Sequence, residues 1–136
     1  MEVIHQENSL TIYDDFAHHP TEIKTTLAGL RARVGTDNIL AVIEPASHTM
    51  KKGTHKNTLQ ASAVDANDVV WFSPDNVKWD MSDLTSSSSR VIDDIDRLVD
   101  ETTRQILNKD GPLHVVIMSN GSFQGAHRRI VDSLRR

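Results

Sequence analysis

The 136-residue chain is long enough for one domain with an ordinary hydrophobic core and short for two. Its 15 basic and 19 acidic side chains and its aromatic content of 4% argue against general binding to nucleic acid or to membranes. The absence of cysteine excludes disulfides, thiol nucleophiles and cysteine-ligated metal clusters. No apolar run approaches the length of a membrane-spanning helix and no signal-peptide pattern opens the sequence, so we expect a cytoplasmic protein.

The first third of the chain predicts a β-hairpin, a helix and a buried strand. Residues 2–7 and 10–14 read as two short strands joined by a turn. A proline opens the helix predicted over 20–34, whose apolar residues recur at spacings of three and four, and Gly35 is a natural stop. Residues 39–43 form a continuous apolar run, which is typical of a parallel strand buried on both faces.

Helices and strands continue to alternate in the rest of the chain. Residues 73–90 carry no clear pattern, although a short strand near Arg90 fits. In chain order, the other predicted elements are a helix over 58–66, a strand over 69–72, a helix over 92–106, a strand over 113–118 and a helix over 126–134.

This alternation predicts an α/β fold. We expect a three-layer Rossmann-like domain with a mostly parallel sheet, an antiparallel edge strand and helices on both faces. In such sheets, ligands bind at the carboxyl ends of the strands. Three polar segments fall at those ends, namely residues 14–19, 44–52 and 119–125.

The first polar segment combines carboxylates with imidazoles, which are the side chains that bind metal ions. However, adjacent histidines on a turn, such as His18 and His19, rarely point at one ion. Two other interpretations stay open. The residues could order the junction between a strand and a helix, or a strand-end aspartate could accept hydrogen bonds from a ribose diol.

The other two polar segments have weaker motifs. Glu44 follows a buried strand directly, and the lysines at positions 51 and 52 fit a solvated loop. The third segment, a glycine-bearing turn between a strand and a helix, resembles an anion cradle made of backbone N–H groups, but an ordinary tight turn fits equally well. No P-loop is present. We expect His114, on the last strand, to be a core histidine with satisfied hydrogen bonds.

Three segments together resemble the Mur ligase family. Residues 13–22 (Tyr-Asp-Asp-Phe-Ala-His-His-Pro-Thr-Glu) resemble the block that opens the C-terminal domain of these enzymes. Residues 43–51 (Ile-Glu-Pro-Ala-Ser-His-Thr-Met-Lys) resemble the Glu-Pro-Arg-Ser-x-Thr-Met block of the murein peptide ligase branch. Residues 118–127 resemble its Ser-Asn-Gly-Gly-Phe-Gly-Gly block. The order and spacing agree, so the resemblance covers essentially the whole chain.

The resemblance implies that residues 1–136 are a single domain, the C-terminal peptide-binding domain of a larger three-domain ligase. Such an enzyme uses ATP and Mg²⁺ to join the murein tripeptide L-alanyl-γ-D-glutamyl-meso-diaminopimelate to UDP-N-acetylmuramate in peptidoglycan recycling. The P-loop and the magnesium ligands would belong to the missing central domain. We therefore expect this chain alone to be inactive, with no catalytic residue and no metal ligand of its own.

The resemblance also implies roles for individual residues. Asp15 would accept hydrogen bonds from the ATP ribose, with His18 and His19 lining the same cleft. The residues that would face the incoming peptide are Ser47, Thr49 and Met50. Those that would hold a charged end of it are Ser119, Asn120 and Gly121.

The chain departs from the murein peptide ligase pattern at three positions. Ala46 replaces the usual arginine, which removes a candidate carboxylate clamp. Ser122 and Gln124 replace glycines, which puts the shape of their turn in question.

Three other functions remain open from the sequence. The nearest is the same domain of the muramate–alanine ligase branch, which uses free alanine as its nucleophile. A metal-dependent phosphoesterase built on the Asp-Asp and His-His pairs would instead contain bound metal. A free-standing ligand-binding module would carry out no chemistry.

Overall fold

The computed structural model describes residues 1–45, 56–73 and 84–135. In chain order, the elements described are β1 (Glu2–Glu7), β2 (Leu10–Asp15), α1 (Pro20–Val34), β3 (Asn38–Ile43), α2 (Lys56–Ser62), β4 (Asp68–Phe72), β5 (Ser89–Ile92), α3 (Ile95–Asn108), β6 (Leu113–Met118) and α4 (Ala126–Leu134). None of the helices in these ranges is long and apolar enough to cross a membrane.

The strands form one six-stranded sheet in the order β1-β2-β6-β3-β4-β5. The β1–β2 pair is antiparallel, and every other neighbouring pair is parallel. The predicted fold class, a mostly parallel sheet with an antiparallel edge strand, is therefore confirmed. The last strand of the chain, β6, lies between β2 and β3, and the four residues at its carboxyl end, 115–118, are all apolar and buried.

The sheet separates two apolar cores, because successive side chains of a strand point to opposite faces. In β3, Ile39 packs into the core beneath α1 and α2, whereas Leu40 packs into the core beneath α3 and α4. The buried helix residues that close the first core are Ile23, Leu27, Leu30 and Leu59. Those that close the second core are Leu98, Val99, Ile106, Ala126 and Ile130. This is the predicted arrangement of helices on both faces.

Two of the predicted helix boundaries were wrong. Ile92, predicted to begin a helix, ends β5, and the helix begins at Ile95 because the Asp94 side chain accepts a hydrogen bond from the Arg97 amide at 2.9 Å. The helix predicted over 58–66 ends at Ser62, whose hydroxyl donates to the Leu59 carbonyl at 2.6 Å and competes with the helical hydrogen-bond pattern.

Candidate functional site

Three polar residues meet where the central strands end. Since β6 lies between β2 and β3, Ser119 follows β6 directly between Asp15 and Glu44. The Ser119 amide donates to the Asp15 carbonyl at 3.1 Å. The Ser119 hydroxyl donates to Glu44 Oε1 at 2.6 Å, a short charge-assisted hydrogen bond. The structure thus brings the first and third predicted segments together, and it joins both to the start of the second.

Asp15 orders the loop that follows β2. Its Oδ1 accepts hydrogen bonds from the Ala17 amide at 2.8 Å and from the Thr26 hydroxyl at 3.4 Å. The other oxygen, Oδ2, lies 3.5 Å from the Met1 amino nitrogen. Through Oδ1, the Asp15 side chain orders the junction between β2 and α1, which fits the loop-ordering interpretation. Oδ2 makes neither of these two hydrogen bonds.

His18 and His19 stand side by side at the start of α1. Their ring centres are 4.3 Å apart. His18 Nδ1 lies 2.7 Å from the Phe16 carbonyl oxygen. A carbonyl can only accept, so this nitrogen carries the proton in that contact. The Glu22 carboxylate, three residues into the helix, turns back toward the two histidines and joins their cluster.

Glu22 caps the first turn of α1. Its Oε1 accepts from the His18 amide at 3.4 Å and from the His19 amide at 3.3 Å. These two backbone hydrogen bonds, that of His18 first, lower the pKa of Glu22. Sequence reasoning did not select Glu22 as a site residue, although an acidic residue three positions after a helix cap is a recognised pattern.

The predicted anion-holding segment has one buried member and two exposed ones. Ser119 is buried, whereas Asn120 and Gly121 are exposed. The Ser119 Oγ also accepts a hydrogen bond from the Gly121 amide at 3.2 Å. The Ser119 hydroxyl is therefore used inside the turn, where it donates to Glu44 and accepts from Gly121. Asn120 is the residue of the three whose side chain is exposed to solvent and can contact a ligand.

The rest of this turn adopts left-handed backbone angles. Phe123 and Gln124 have φ values of 52° and 51°, and Gly125 has a φ of 74°. Gln124 therefore keeps a conformation that glycine adopts without cost, at a position where the Mur ligase block carries glycine. Ser122, the other departure from glycine, has an ordinary φ of −68°.

Sequence reasoning missed two further residues at this edge. His127, near the start of α4, has its Nε2 2.9 Å from Asp14 Oδ1, but the alignment is too poor for a hydrogen bond, so the contact is a close approach of the two groups. Phe16 is 75% exposed beside Asp15. Neither feature has a signal in the sequence, since both depend on how loops from different strands meet.

His114 has the satisfied hydrogen bonds that were predicted, although its side chain is only partly buried at the rim of the core. Its Nε2 lies 3.1 Å from Asp37 Oδ2, and its Nδ1 lies 2.9 Å from the Tyr13 hydroxyl. The carboxylate accepts the Nε2 proton, so Nδ1 accepts the proton of the tyrosine. Both ring nitrogens therefore have partners, and His114 links β6 to β2 and to the residue that precedes β3.

The metal-ligating side chains are arranged differently from the pairs considered in the sequence. Within the described ranges, the one group of three that could hold an ion is His18, His19 and Glu22, with candidate ligand atoms within 4.8 Å of one another. Neither Asp14 nor Asp15 belongs to this group. The residues proposed to face a peptide, Ser47, Thr49 and Met50, lie outside the described residues, as does Ala46.

Comparisons with known proteins agree with the fold and with the sequence blocks. The family described as "Mur ligase, glutamate ligase domain" matches residues 1–121. The UDP-N-acetylmuramate--L-alanyl-gamma-D-glutamyl-meso-2,6-diaminoheptandioate ligase of Haemophilus influenzae is 40% identical over 139 residues, which cover 99% of this chain and 30% of the relative. This chain thus spans about a third of the length of that enzyme.

Two solved structures share the fold. The murein peptide ligase of Psychrobacter arcticus 273-4 has a TM-score of 0.84 and 34% identity, and the match covers 98% of this chain and 29% of that enzyme. A solved domain from Haemophilus ducreyi 35000HP has a TM-score of 0.77 and 37% identity, with 98% of both chains covered. That domain is provisionally named as part of a UDP-N-acetylmuramate:L-alanyl-gamma-D-glutamyl-diaminopimelate ligase. Because the family match extends over residues 1–121 and the fold agrees throughout, the chain belongs to the Mur ligase family, as its C-terminal domain.

Proposed function

We propose that this chain is the C-terminal domain of an ATP-dependent ligase that joins L-alanyl-γ-D-glutamyl-meso-diaminopimelate to UDP-N-acetylmuramate. The observation that supports this most strongly is the similarity to the H. influenzae ligase of that name along 99% of the chain. The same match covers 30% of the relative, which supports a larger enzyme with further domains. We infer a cytoplasmic location, because the proposed reaction consumes ATP.

The chemistry would form an amide bond through an activated acid. The muramate carboxylate takes the terminal phosphoryl group of ATP, which gives an acyl phosphate and ADP. The amine of the tripeptide then attacks the acyl carbon, and phosphate and a proton leave. This domain contributes by positioning, because closing it over both substrates raises their effective concentration and keeps water away from the acyl phosphate.

We assign the nucleotide side of the cleft to the end of β2. Asp15 Oδ1 is already used by the Ala17 amide and the Thr26 hydroxyl, so Oδ2, whose contact with the Met1 amino nitrogen is 3.5 Å long, is the atom that would accept hydrogen bonds from the ribose. Fixing one oxygen in this way preorganises the other for its ligand. His18 and His19 would line the same cleft.

We assign the peptide side to the ends of β3 and β6. Ser119 and Gly121 are tied to each other and to Glu44, so they set the shape of the turn, and Asn120 would contact a charged end of the peptide. By resemblance, Ser47, Thr49 and Met50 would complete this side.

The one three-residue cluster of possible metal ligands among the described residues does not suit magnesium. Mg²⁺ prefers oxygen ligands in an octahedral arrangement, whereas the one three-residue cluster here contains two imidazoles. We therefore assign no step of the reaction to a metal ion held by this chain, and we place the magnesium ligands in another domain of the enzyme.

The test is an assay of the intact enzyme with ATP, UDP-N-acetylmuramate and either the tripeptide or L-alanine. We expect ATP consumption and amide formation with the tripeptide. Product formation with alanine alone would assign the chain to the muramate–alanine ligase branch. Phosphate release from a phosphoester without any amine acceptor would favour the phosphoesterase and contradict the proposal.

A further inference from the structure

We propose that a polar cavity at the amino ends of β4 and β5, beside the end of α3, binds a phosphate-type oxyanion. The proposal goes beyond the ligase function and does not depend on it, because the candidate functional site lies at the opposite, carboxyl ends of the strands. The cavity has a volume of about 220 Å³, below the range of sites for drug-sized molecules, so it suits a small ligand. The charged and hydroxyl donors that line it are Ser87, Ser88, Arg90, Arg104 and Lys109.

One carboxylate brings two arginines from different elements to this cavity. Glu101, on α3, accepts hydrogen bonds from Arg104 Nε at 3.0 Å and from Arg104 Nη2 at 2.6 Å. Its Oε2 also lies 3.1 Å from Nε of Arg90, on β5. The hydrogen bond from Arg104 lowers the pKa of Glu101, so the carboxylate stays charged at neutral pH and holds both guanidinium groups. The two arginines are thereby preorganised for a shared ligand.

Both arginines keep donors for a ligand, since a guanidinium group has five N–H groups. Arg104 uses Nε and Nη2 on Glu101, which leaves Nη1. The contact of Arg90 with Glu101 is through Nε, so its two terminal nitrogens can serve a ligand. The side chains of Arg90 and Arg104 are 59% and 52% exposed, so an ion can reach these nitrogens from solvent. Planar guanidinium groups match the spacing of phosphate oxygens.

The cavity has a small excess of positive charge, although the chain as a whole carries a formal charge of −4. Lys109 Nζ lies 2.8 Å from Asp68 Oδ2, and this pair forms part of the wall. Three cationic side chains therefore face two carboxylates and the carboxyl end of α3, whose partial charge is about −0.5. With so small an excess, directed hydrogen bonds decide which anion fits. A phosphate group offers three or four acceptor oxygens to these donors, whereas a carboxylate offers two.

The experiment is an NMR titration of the 136-residue chain with inorganic phosphate at neutral pH, with the ionic strength held constant by sodium chloride. We expect one saturable site, and we expect acetate to bind it about tenfold more weakly. The variants Arg90→Gln and Arg104→Gln should each lower the phosphate affinity by about tenfold or more, because each removes hydrogen bonds to a charged group. The matched control is Arg128→Gln, because Arg128 is also paired with a carboxylate, Asp132 at 4.0 Å, but lies on α4 away from the cavity.

A second readout needs no variant. In the wild-type chain, phosphate should shift the backbone amide signals of Ser87 and Ser88 and the side-chain Nε–H signals of Arg90 and Arg104, with one common affinity. The proposal is contradicted if these shifts do not saturate, or if acetate or chloride produces them at the same concentration. It is also contradicted if the double variant Arg90→Gln/Arg104→Gln keeps full affinity, or if Arg128→Gln lowers the affinity as much as the cavity variants do.

Discussion

The hydrogen bond between Ser119 and Glu44 joins the ends of β6 and β3, and its removal should have a measurable cost. The bond is 2.6 Å long, its acceptor is a carboxylate and its donor is buried. A hydrogen bond to a charged group contributes about 1.5–3 kcal/mol to stability. Since Glu44 is only partly buried, water can replace the lost hydroxyl, and we expect Ser119→Ala to lower the free energy of unfolding by about 1.5 kcal/mol, the lower end of that range.

A double-mutant cycle isolates the contribution of this pair. Glu44→Gln keeps an acceptor oxygen but removes the charge, so it should cost about half as much as Ser119→Ala. The double variant should be less destabilised than the sum of the single variants, with a coupling energy of about 0.7 kcal/mol, close to the whole cost of Glu44→Gln. The assay is equilibrium unfolding in urea. As a control, Ser9→Ala removes an exposed hydroxyl that donates to the Gly111 carbonyl over 3.5 Å, and it should cost less than about 0.5 kcal/mol.

Additive effects would refute this reasoning. If the coupling energy were below about 0.3 kcal/mol, Ser119 and Glu44 would not act as a pair, and the turn at 119–121 would need another source of order.

Three further predictions follow from the described geometry. Gln124→Gly should stabilise the chain by up to about 1 kcal/mol, because it removes a side chain from a residue with left-handed backbone angles. Ser122→Gly should instead destabilise the chain by about 0.5–1 kcal/mol, because the backbone of Ser122 has ordinary angles. Equal losses of stability in urea unfolding would show that Gln124 is not strained. The side-chain hydrogen bond from Arg104 lowers the pKa of Glu101, so this carboxylate contributes stability above the ordinary value of 4.5 and loses it as the pH falls from that value through the lowered pKa. Glu101→Gln should be less stable than wild type by about 0.5–1 kcal/mol at neutral pH, and the difference should shrink as the pH falls below 4.5; a difference independent of pH would contradict this origin. In the intact enzyme, Asp15→Asn, which keeps an acceptor for the loop, should raise the KM for ATP about tenfold, and an unchanged KM would remove the ribose role.

Burial determines how much of the fold can be predicted from the sequence. The strands β3, β4 and β6 are covered on both faces, so each contains a run of at least four apolar residues, and their assignment is confirmed. Ile92 was assigned to the helix because it lies three residues before Ile95, a spacing that fits one helical face. A single buried isoleucine on a short edge strand looks the same in the sequence as one on a helix. The capping side chain of Asp94, which decides the boundary, carries more weight than that spacing.

The candidate site was predictable only in outline. All parallel strands end at the same edge of the sheet, so the three polar segments could be placed there from the sequence. The strand order could not be deduced, and it is the insertion of β6 between β2 and β3 that brings Ser119 against both Asp15 and Glu44. The contact of His127 with Asp14 and the joining of Glu22 to the two histidines depend on the same long-range packing.

The measurement that tests the central claim most directly is the sequence of the native coding frame upstream of Met1. If this chain is one domain of an ATP-dependent ligase, that frame should continue upstream and encode Gly-x-x-x-x-Gly-Lys followed by Thr or Ser, the phosphate-binding loop that this chain lacks. A stop codon directly before Met1 would mean a free-standing domain; it would contradict the ligase assignment and leave the fold intact.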